Sequence, residues 1–359
     1  MKQAVQKKPV TNQPVIREDL LRCLESVQAG LAPRNIVEQS NCFVFRDGQV
    51  FTFNDEIACR CPTGLGKGID GAVPADKMLE VIRRRPEEEV LLEQSDSRLY
   101  VKGTKGGRKS WLIVDQEVSL PIDNLTLPDK WTKLPEEFGD AMALVLQCAS
   151  LDASRPVATC VHLHPKWVEA SDDVQACRWS LATNFPDSTL IKRSSAQAVA
   201  SLGMIEFALD DTWAHFRSKT GLVISCRRYP DDFPALSKDL KVEGTPVTLP
   251  KNLPDALDLA QVFSAENDQA NLVRIDLKPG RLWVRAEGIS GGHEEPRKVE
   301  YSGPKLSFLI APQILIDLVK RHGECQLTAD RLKVDAGAYR YVTALNPTEQ
   351  VEEGSKDAV

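Results

Sequence analysis

The sequence lacks the apolar segments that membrane insertion or secretion requires. No apolar run approaches the length of a helix that could cross a bilayer, and residues 1–15 lack the apolar core of a signal peptide. We therefore expect a cytoplasmic protein whose residues 1–15 form a disordered tail with a small positive charge.

The nine cysteines lack the spacing that disulfide frameworks and structural zinc sites require. No CxxC pair occurs, and the number of cysteines is odd. Cys59 and Cys61 alternate onto one face of a strand, but no second pair completes a zinc site. The pattern favours free, mostly buried thiols in a reducing compartment.

Signatures of catalysis are also missing. The chain contains no nucleophile elbow and no HExxH motif, and the GLGKG run at 64–68 lacks the Gly-Lys-Ser/Thr ending of a phosphate-binding loop. His162 and His164 share one strand face near Asp172 and Asp173, but no third metal ligand follows at a recognisable spacing. We expect a protein that is not an enzyme and has no metal or cofactor.

What the sequence does contain is one order of elements repeated three times. The chain has 359 residues, 42% of them hydrophobic, and a mean hydropathy of −0.27, which suits a globular protein with two or three cores. A strand, a helix and a strand pair are predicted at 71–101, 190–217 and 306–345. Because the copies are roughly 110–120 residues apart, they indicate three related α+β domains rather than a solenoid.

Pro-rich segments at about 120–135 and 241–254 separate these domains. The predicted organisation is a first domain at 16–128, a second at 129–249 and a third at 250–347. Each domain should pack two helices on antiparallel strands. Residues 348–359 are acidic and polar and are expected to be a disordered tail.

Three segments resemble the bacterial DNA polymerase III β subunit, the replicative sliding clamp. The segment KVEYSGPKLSFLIAPQILIDLVKRHGECQLT at 298–328 resembles its last domain, VEASDDVQA at 168–176 the strand end of its second domain, and RRYPDDFPAL at 227–236 its Phe-Pro-Asp-Tyr segment. The resemblance covers about 17–347 and marks a divergent member. It implies three tandem clamp domains that close as a head-to-tail dimer ring around duplex DNA and tether a polymerase for processive synthesis. A clamp-like scaffold that binds polymerase motifs without being loaded on DNA is the alternative.

The resemblance also implies a DNA-contacting surface on the helices that line the ring. Arg34 and Arg155 match the DNA-facing arginines of the first two domains. Further candidates lie at or beside the second helices, namely Arg83, Arg84, Arg85, Lys192, Arg193, Lys320 and Arg321. The net charge of −6 does not contradict this surface, because a ring can be acidic outside and basic inside. Low net attraction also suits a protein that slides along phosphates without reading bases.

Partner proteins of the family insert a short linear motif into an apolar pocket between the second and third domains. The matching positions here are Ala158, Ser171, Asp173, Val174, Ala176, Pro230, Pro234, Ala235, Val342, Thr343, Ala344 and Leu345. Asp173 and Val174 replace the usual Gly-His, and Pro234 replaces a common arginine. The expectation is a retained but roomier pocket with an altered motif preference, serving a polymerase and a clamp loader.

Two residues of the first domain match apolar dimer contacts of the family. They are Trp111 and Ile113, although Trp111 could equally belong to the core. The resemblance therefore implies a homodimer, associated with the nucleoid through duplex DNA and with no membrane partner.

Overall fold

The structure is a computed structural model that describes residues 10–11, 13–33, 37–104, 107–266 and 271–348. The chain forms two compact units. The first unit comprises Met1–Val168 and Leu181–Asp232, and the second comprises Glu169–Ser180 and Phe233–Val359. Within the described residues, no helix is both long and apolar enough to cross a bilayer.

The described residues contain six α-helices, two in each predicted domain. They are α1 Arg17–Ser26, α2 Ala75–Arg83, α3 Phe138–Val145, α4 Arg193–Ser201, α5 Leu253–Ser264 and α6 Pro312–Arg321. Short 3₁₀ helices follow α1 at Gln28–Gly30 and α3 at Leu146–Cys148, and two more form at Ile122–Asn124 and Pro156–Thr159. Helix α6 begins at Pro312, where the missing N–H of proline costs no helical hydrogen bond. The helices pack as the pairs α1–α2, α3–α4 and α5–α6.

The remaining elements are strands. The first nine, β1–β9, are Val10–Thr11, Val15–Ile16, Cys42–Arg46, Gln49–Phe53, Ile57–Pro62, Gly71–Pro74, Glu89–Ser95, Arg98–Gly103 and Lys109–Ile113. The next eight, β10–β17, are Thr132–Lys133, Cys160–His164, Trp167–Ser171, Gln175–Ser180, Thr189–Lys192, Met204–Leu209, Trp213–Ser218 and Val223–Arg227. The last ten, β18–β27, are Thr245–Thr248, Val273–Lys278, Arg281–Gly288, Gly291–Lys298, Glu300–Tyr301, Leu306–Ile310, Glu324–Leu327, Arg331–Asp335, Tyr339–Ala344 and Asn346–Pro347. The predicted α+β class is confirmed.

In the first unit, strands of the first and second predicted domains share one sheet. Its order is β10-β15-β16-β17-β5-β4-β3-β6, and the two halves join where Ile224 of β17 lies opposite Cys59 of β5. A second sheet has the order β1-β7-β8-β9, with β2 also pairing with β7. The predicted boundary at 128 therefore lies inside a single compact unit.

The second unit contains two further groups of paired strands. One has the order β13-β26-β25-β24-β18-β22 and the other the order β21-β20-β19-β23-β27. In the group that contains β19, apolar and polar residues alternate along the strand. Because successive side chains of a strand point to opposite faces, this alternation decides which face of the sheet is buried. Along β19, Val273, Ile275 and Leu277 are buried, whereas the residues between them are partly exposed.

All nine cysteines are free thiols, and all except Cys42 are buried. Burial raises the pKa of the Cys160 thiol to about 11 and that of the Cys325 thiol to about 12. These thiols are therefore protonated near neutral pH and behave as small apolar side chains. The expectation of free, mostly buried thiols is confirmed.

Candidate functional site

An apolar cluster forms in the second unit where β13 pairs with β26. Ala176 lies directly opposite Val342 in this antiparallel pair, and both are buried. Leu236, Leu240 and Val242 pack on these two residues from the neighbouring segment. The sequence analysis had assigned Ala176 and Val342 to a pocket, and the fold brings them together.

Polar contacts hold the segment 236–242 across the two strands and their neighbour β25. A turn forms where the Leu240 N–H donates to the Leu236 carbonyl at 3.0 Å. Three cationic side chains then donate to the segment, each at 3.3–3.4 Å: Arg178 to the Ser237 hydroxyl, Arg331 to the Asp239 carbonyl, and Lys333 to the Val242 carbonyl. These contacts therefore hold the segment 236–242 over the apolar cluster.

The chain is also held together where the same two strands end. The Ala344 N–H donates to the Val174 carbonyl at 2.8 Å, and the Val174 side chain is 54% exposed. Asp173 has a φ of 73°, in the left-handed region that glycine favours. The backbone of Asp173 therefore has a conformation that glycine favours, and its side chain adds a carboxylate next to Val174.

The other predicted pocket residues are distributed differently. Pro234 and Ala235 are exposed, whereas the side chains of Thr343, Leu345 and Ser171 are buried. Ala158 is partly exposed and Pro230 exposed, and both belong to the first unit. The sequence analysis missed Phe233, Leu236, Leu240 and Val242. The four-residue spacing of Leu236 and Leu240, typical of a helical turn with one apolar side, could have indicated them.

Strand β9 presents an exposed apolar face at the edge of its sheet. Trp111 is 53% exposed and Ile113 is 76% exposed, and the guanidinium carbon of Arg98 lies 5.5 Å from the centre of the Trp111 ring. Trp111 is therefore not a core residue, and the alternative interpretation of this side chain is wrong.

Most of the predicted DNA-contacting cations are engaged by acidic groups or carbonyls. Arg83 pairs with Glu25 at 2.8 Å and Arg84 with Glu80 at 2.7 Å. A Glu56 carboxylate binds the Lys192 ammonium and, through this hydrogen bond, raises the lysine pKa. The Arg193 guanidinium donates to the carbonyls of Leu146, at 2.5 Å, and Ala149.

Arg85 requires a correction. Its side chain is buried, and its guanidinium donates to the Val101 carbonyl at 2.6 Å, the Ser110 hydroxyl at 2.9 Å and the Arg108 carbonyl at 3.2 Å. A guanidinium held in this way ties the end of α2 to β8 and β9 and is not presented to a phosphate. The expected DNA contact of Arg85 is therefore wrong.

Three predicted cations are exposed. Arg155 lies on the surface before the short helix Pro156–Thr159, and Lys320 and Arg321 end α6. Lys320 and Arg321 lie in the last turn of α6, where a positive charge suits the negative end of the helix dipole. Arg34 lies outside the described residues.

A buried Ser–His–Asp arrangement joins β16 and β17. The His215 ring contacts the Ser225 hydroxyl at 2.7 Å through Nδ1 and the Asp210 carboxylate at 2.9 Å through Nε2. His215 is fully buried and Ser225 is 1% exposed, so the hydroxyl cannot reach a substrate. Burial lowers the pKa of His215, which keeps the imidazole neutral, although Asp210 opposes this shift. The arrangement supports the core.

No protein-family model and no curated protein sequence matches the chain. Solved structures do. The DNA polymerase III β subunit of Thermotoga maritima is 14% identical in sequence and superimposes with a TM-score of 0.80. The aligned region covers 95% of this chain and 100% of that subunit. The Pseudomonas aeruginosa sliding clamp, bound to griselimycin, is 16% identical, covers 94% and 100%, and has a TM-score of 0.75. The C. crescentus β clamp is 16% identical and has a TM-score of 0.77. Its alignment covers 95% of this chain and 100% of the clamp chain. The chain therefore has the fold of the DNA polymerase III β subunit, the sliding clamp.

Proposed function

We propose that this chain is a DNA sliding clamp, a non-catalytic subunit that encircles duplex DNA and tethers a replicative polymerase. The observation that carries the proposal is the clamp fold itself, which extends over 94–95% of the chain and the whole of three clamp structures. Three clamp domains with the predicted boundaries, and a location in the cytoplasm at the nucleoid, are part of this proposal.

Two strand edges support a head-to-tail dimer. Strand β9 is the last strand of its sheet in the first unit, and β21 is the last strand of its sheet in the second. Each edge carries backbone groups that can pair with another strand. Pairing of β9 in one protomer with β21 in its partner joins unlike surfaces, and a ring forms when the rotation closes.

Apolar side chains next to the two edges fit this pairing. Trp111 and Ile113 flank the first edge, while Leu259 and Val262 of α5 are 55% and 60% exposed beside the second. Burying these side chains against each other would remove apolar surface from water.

Charge is also complementary. A groove of about 580 Å³ between α2 and β9 includes the cations Arg108 and Lys109, besides Lys77 and Arg84, which pair with Glu80. Exposed acids of α5 lie in the second unit, at Asp255 and Asp258. A basic surface in one protomer meeting an acidic surface in the other favours one orientation and speeds association.

Contact with DNA would be weak. Lys320 and Arg321, which are exposed at the end of α6, are the cations proposed to meet phosphates, and Arg155 and Arg34 remain candidates from the sequence. Exposed carboxylates also lie on the helices, for example Glu18 and Asp19 on α1 and Asp140 on α3. Few phosphate contacts give low affinity that falls further with salt. Such a surface suits sliding.

The surface over Ala176 and Val342 is the proposed groove for the linear motifs of the polymerase and the clamp loader. An extended peptide would place an apolar anchor on this surface, while backbone groups near Val174 and Ala344 set its register. The exposed carboxylate of Asp173 at the rim disfavours an acidic peptide.

Retention on circular DNA tests the proposal. The purified protein is loaded with its clamp loader onto nicked circular DNA, and the DNA is then either left circular or cut once. A clamp stays on the circle and leaves the linear form, and its native mass is that of a dimer. The near balance of acidic and basic groups on the helices favours one competing function, a scaffold that binds polymerase motifs without loading. Equal and low retention on both DNA forms, together with intact peptide binding, would establish that scaffold instead.

A further inference from the structure

A cavity of about 340 Å³ lies in the first unit, between strands β3–β5 and the segment 122–125. Its apolar walls come from Phe51 and Phe53 of β4 on one side and from Ile122 and Leu125 on the other. Phe53 is buried, whereas the other three are only partly buried and pack against the cluster that contains Phe53. The cavity therefore offers apolar surface to a ligand, and its volume lies at the lower end of the range for small-ligand sites.

Arg60 of β5 lines the same cavity without a counter-charge. It lies opposite Phe51 in the antiparallel pair of β4 and β5. Among the residues that the structure describes, none forms a hydrogen bond, an ion pair or a ring contact with its guanidinium. On the other side of β5, Val223 lies between Arg60 and Arg217, and Arg217 already pairs with Glu206 at 2.6 Å.

The surroundings make the positive charge of Arg60 unfavourable. Partial burial, and after it the charge of Arg217, lower the pKa of the Arg60 guanidinium. A guanidinium nevertheless stays protonated in a protein, so the charge persists next to another cation. An anion bound at Arg60 would form charge-assisted hydrogen bonds and would offset both effects.

The remaining charged groups of the cavity leave Arg60 uncompensated. Arg46 donates to the Asp123 carboxylate at 2.8 Å, so these two lining charges compensate each other. Asp47 is exposed in the turn between β3 and β4. Within the described part of the chain, Arg60 is therefore the lining cation that no carboxylate neutralises.

We propose that this cavity binds a short peptide segment of a partner protein in which an apolar side chain precedes a carboxylate residue. The apolar side chain would lie between Phe51 and Leu125, which removes apolar surface from water, and the carboxylate would accept hydrogen bonds from Arg60. A multiply charged phosphate compound fits less well, because Asp47 and Asp123 also line the cavity. The inference goes beyond the proposed function and does not depend on it.

Two capped tripeptides, each added to the full chain, test the inference. Acetyl-Ala-Leu-Glu-amide carries the carboxylate, and acetyl-Ala-Leu-Gln-amide has nearly the same shape without the charge. NMR titrations should give a dissociation constant about five- to tenfold lower for the glutamate peptide than for the glutamine peptide. Equal dissociation constants, or no saturable binding of the glutamate peptide, would overturn the inference.

Variants of the chain locate the binding site. Arg60→Gln should bind the glutamate peptide about five- to tenfold more weakly than the native chain and should no longer distinguish the two peptides. Arg22→Gln, which removes an exposed arginine of α1 in the same unit, is the matched control and should leave both dissociation constants unchanged. Leu125→Ser should weaken both peptides alike, because it removes part of the apolar wall. Discrimination that persists in Arg60→Gln would contradict the proposed role of the guanidinium.

Two further measurements separate this site from other sites and ligands. Val342→Arg, which blocks the proposed motif groove, should bind the glutamate peptide as the native chain does. Loss of binding in this variant, with full binding by Arg60→Gln, would place the peptide in the motif groove and overturn the inference, whereas failure of loading on circular DNA would count only against the proposed function. Adenosine monophosphate that displaces the glutamate peptide and binds more tightly would assign the cavity to phosphate compounds and also overturn the inference.

Discussion

The Nη2 atom of Arg85 lies 2.6 Å from the carbonyl oxygen of Val101, and the same guanidinium also binds Ser110. Replacing Arg85 with alanine leaves these buried acceptors without a donor. We expect Arg85→Ala to lower the free energy of unfolding by about 2–4 kcal/mol. The adjacent Arg84 is exposed and forms a surface ion pair with Glu80. Arg84→Ala should therefore change the free energy of unfolding by less than about 0.5 kcal/mol. Urea denaturation of both variants measures the difference, and equal stabilities would show that Arg85 is not a structural tie.

Trp111→Glu should convert the dimer into monomers. The variant places a carboxylate in the proposed apolar contact between β9 and the partner, where removing a charge from water on association is costly. Dimer dissociation constants measured by sedimentation should rise by roughly 100-fold or more. Ile205→Glu, at a residue that is 45% exposed on β15, is the control and should remain dimeric. A fully dimeric Trp111→Glu would reject the interface.

Val342→Arg should abolish binding of the polymerase motif peptide and leave the dimer intact. The new guanidinium would lie in an apolar cluster opposite Ala176, where an unpaired charge is costly. Isothermal titration of the peptide and sedimentation of the variant measure the two properties separately. Unchanged peptide affinity would rule out this groove as the motif site.

The double variant Lys320→Ala, Arg321→Ala should reduce the salt dependence of DNA binding. Each lost phosphate contact lowers the slope of log affinity against log salt by about 0.9. Arg84→Ala serves as the control, because Glu80 already neutralises that guanidinium. Titrations of duplex DNA at several salt concentrations give the slopes. Identical slopes for the double variant and the native chain would place the DNA contacts elsewhere.

Stability should fall when the pH drops below the ordinary pKa of histidine, because of His215. Burial holds its folded pKa below the ordinary value of 6.5, so the unfolded chain binds this proton more readily than the folded chain. The contribution of neutral His215 to the free energy of unfolding is therefore present above pH 6.5. It is lost as the pH falls, by at most about 1.4 kcal/mol per pH unit. Partial burial is the largest single influence on the pKa of Asp210 and raises it. Hydrogen bonds, first from His215, outweigh burial and hold this pKa below 3.8. Asp210 therefore titrates outside the pH range in which His215 acts.

Urea unfolding between pH 7.5 and 5 measures this dependence. His215→Asn should be less stable than the native chain at pH 7.5 and should show a shallower loss of stability on acidification. An equally steep loss in the variant would assign the pH dependence to other groups.

The sequence by itself determined the class of fold and the order of the elements. Apolar and polar residues alternate with a period of two at 272–287, which predicts strands, and Pro312 predicts the start of the helix at 312–321. Both signals are local, because the buried face of a strand or helix is set by residues close in sequence. The three repeats placed two helices in each predicted domain, and the structure has them there. The segments at 168–176, 227–236 and 298–328 were enough to indicate the clamp fold.

Only the tertiary structure decided what individual side chains do. Arg84 and Arg85 are neighbours with the same chemistry, yet one is exposed and the other is tied to Val101. Ala176 and Val342 come together only because two strands distant in sequence pair with that register. Such pairings depend on the packing of whole sheets, because burial and hydrogen-bond partners are properties of the folded neighbourhood and no local pattern encodes them.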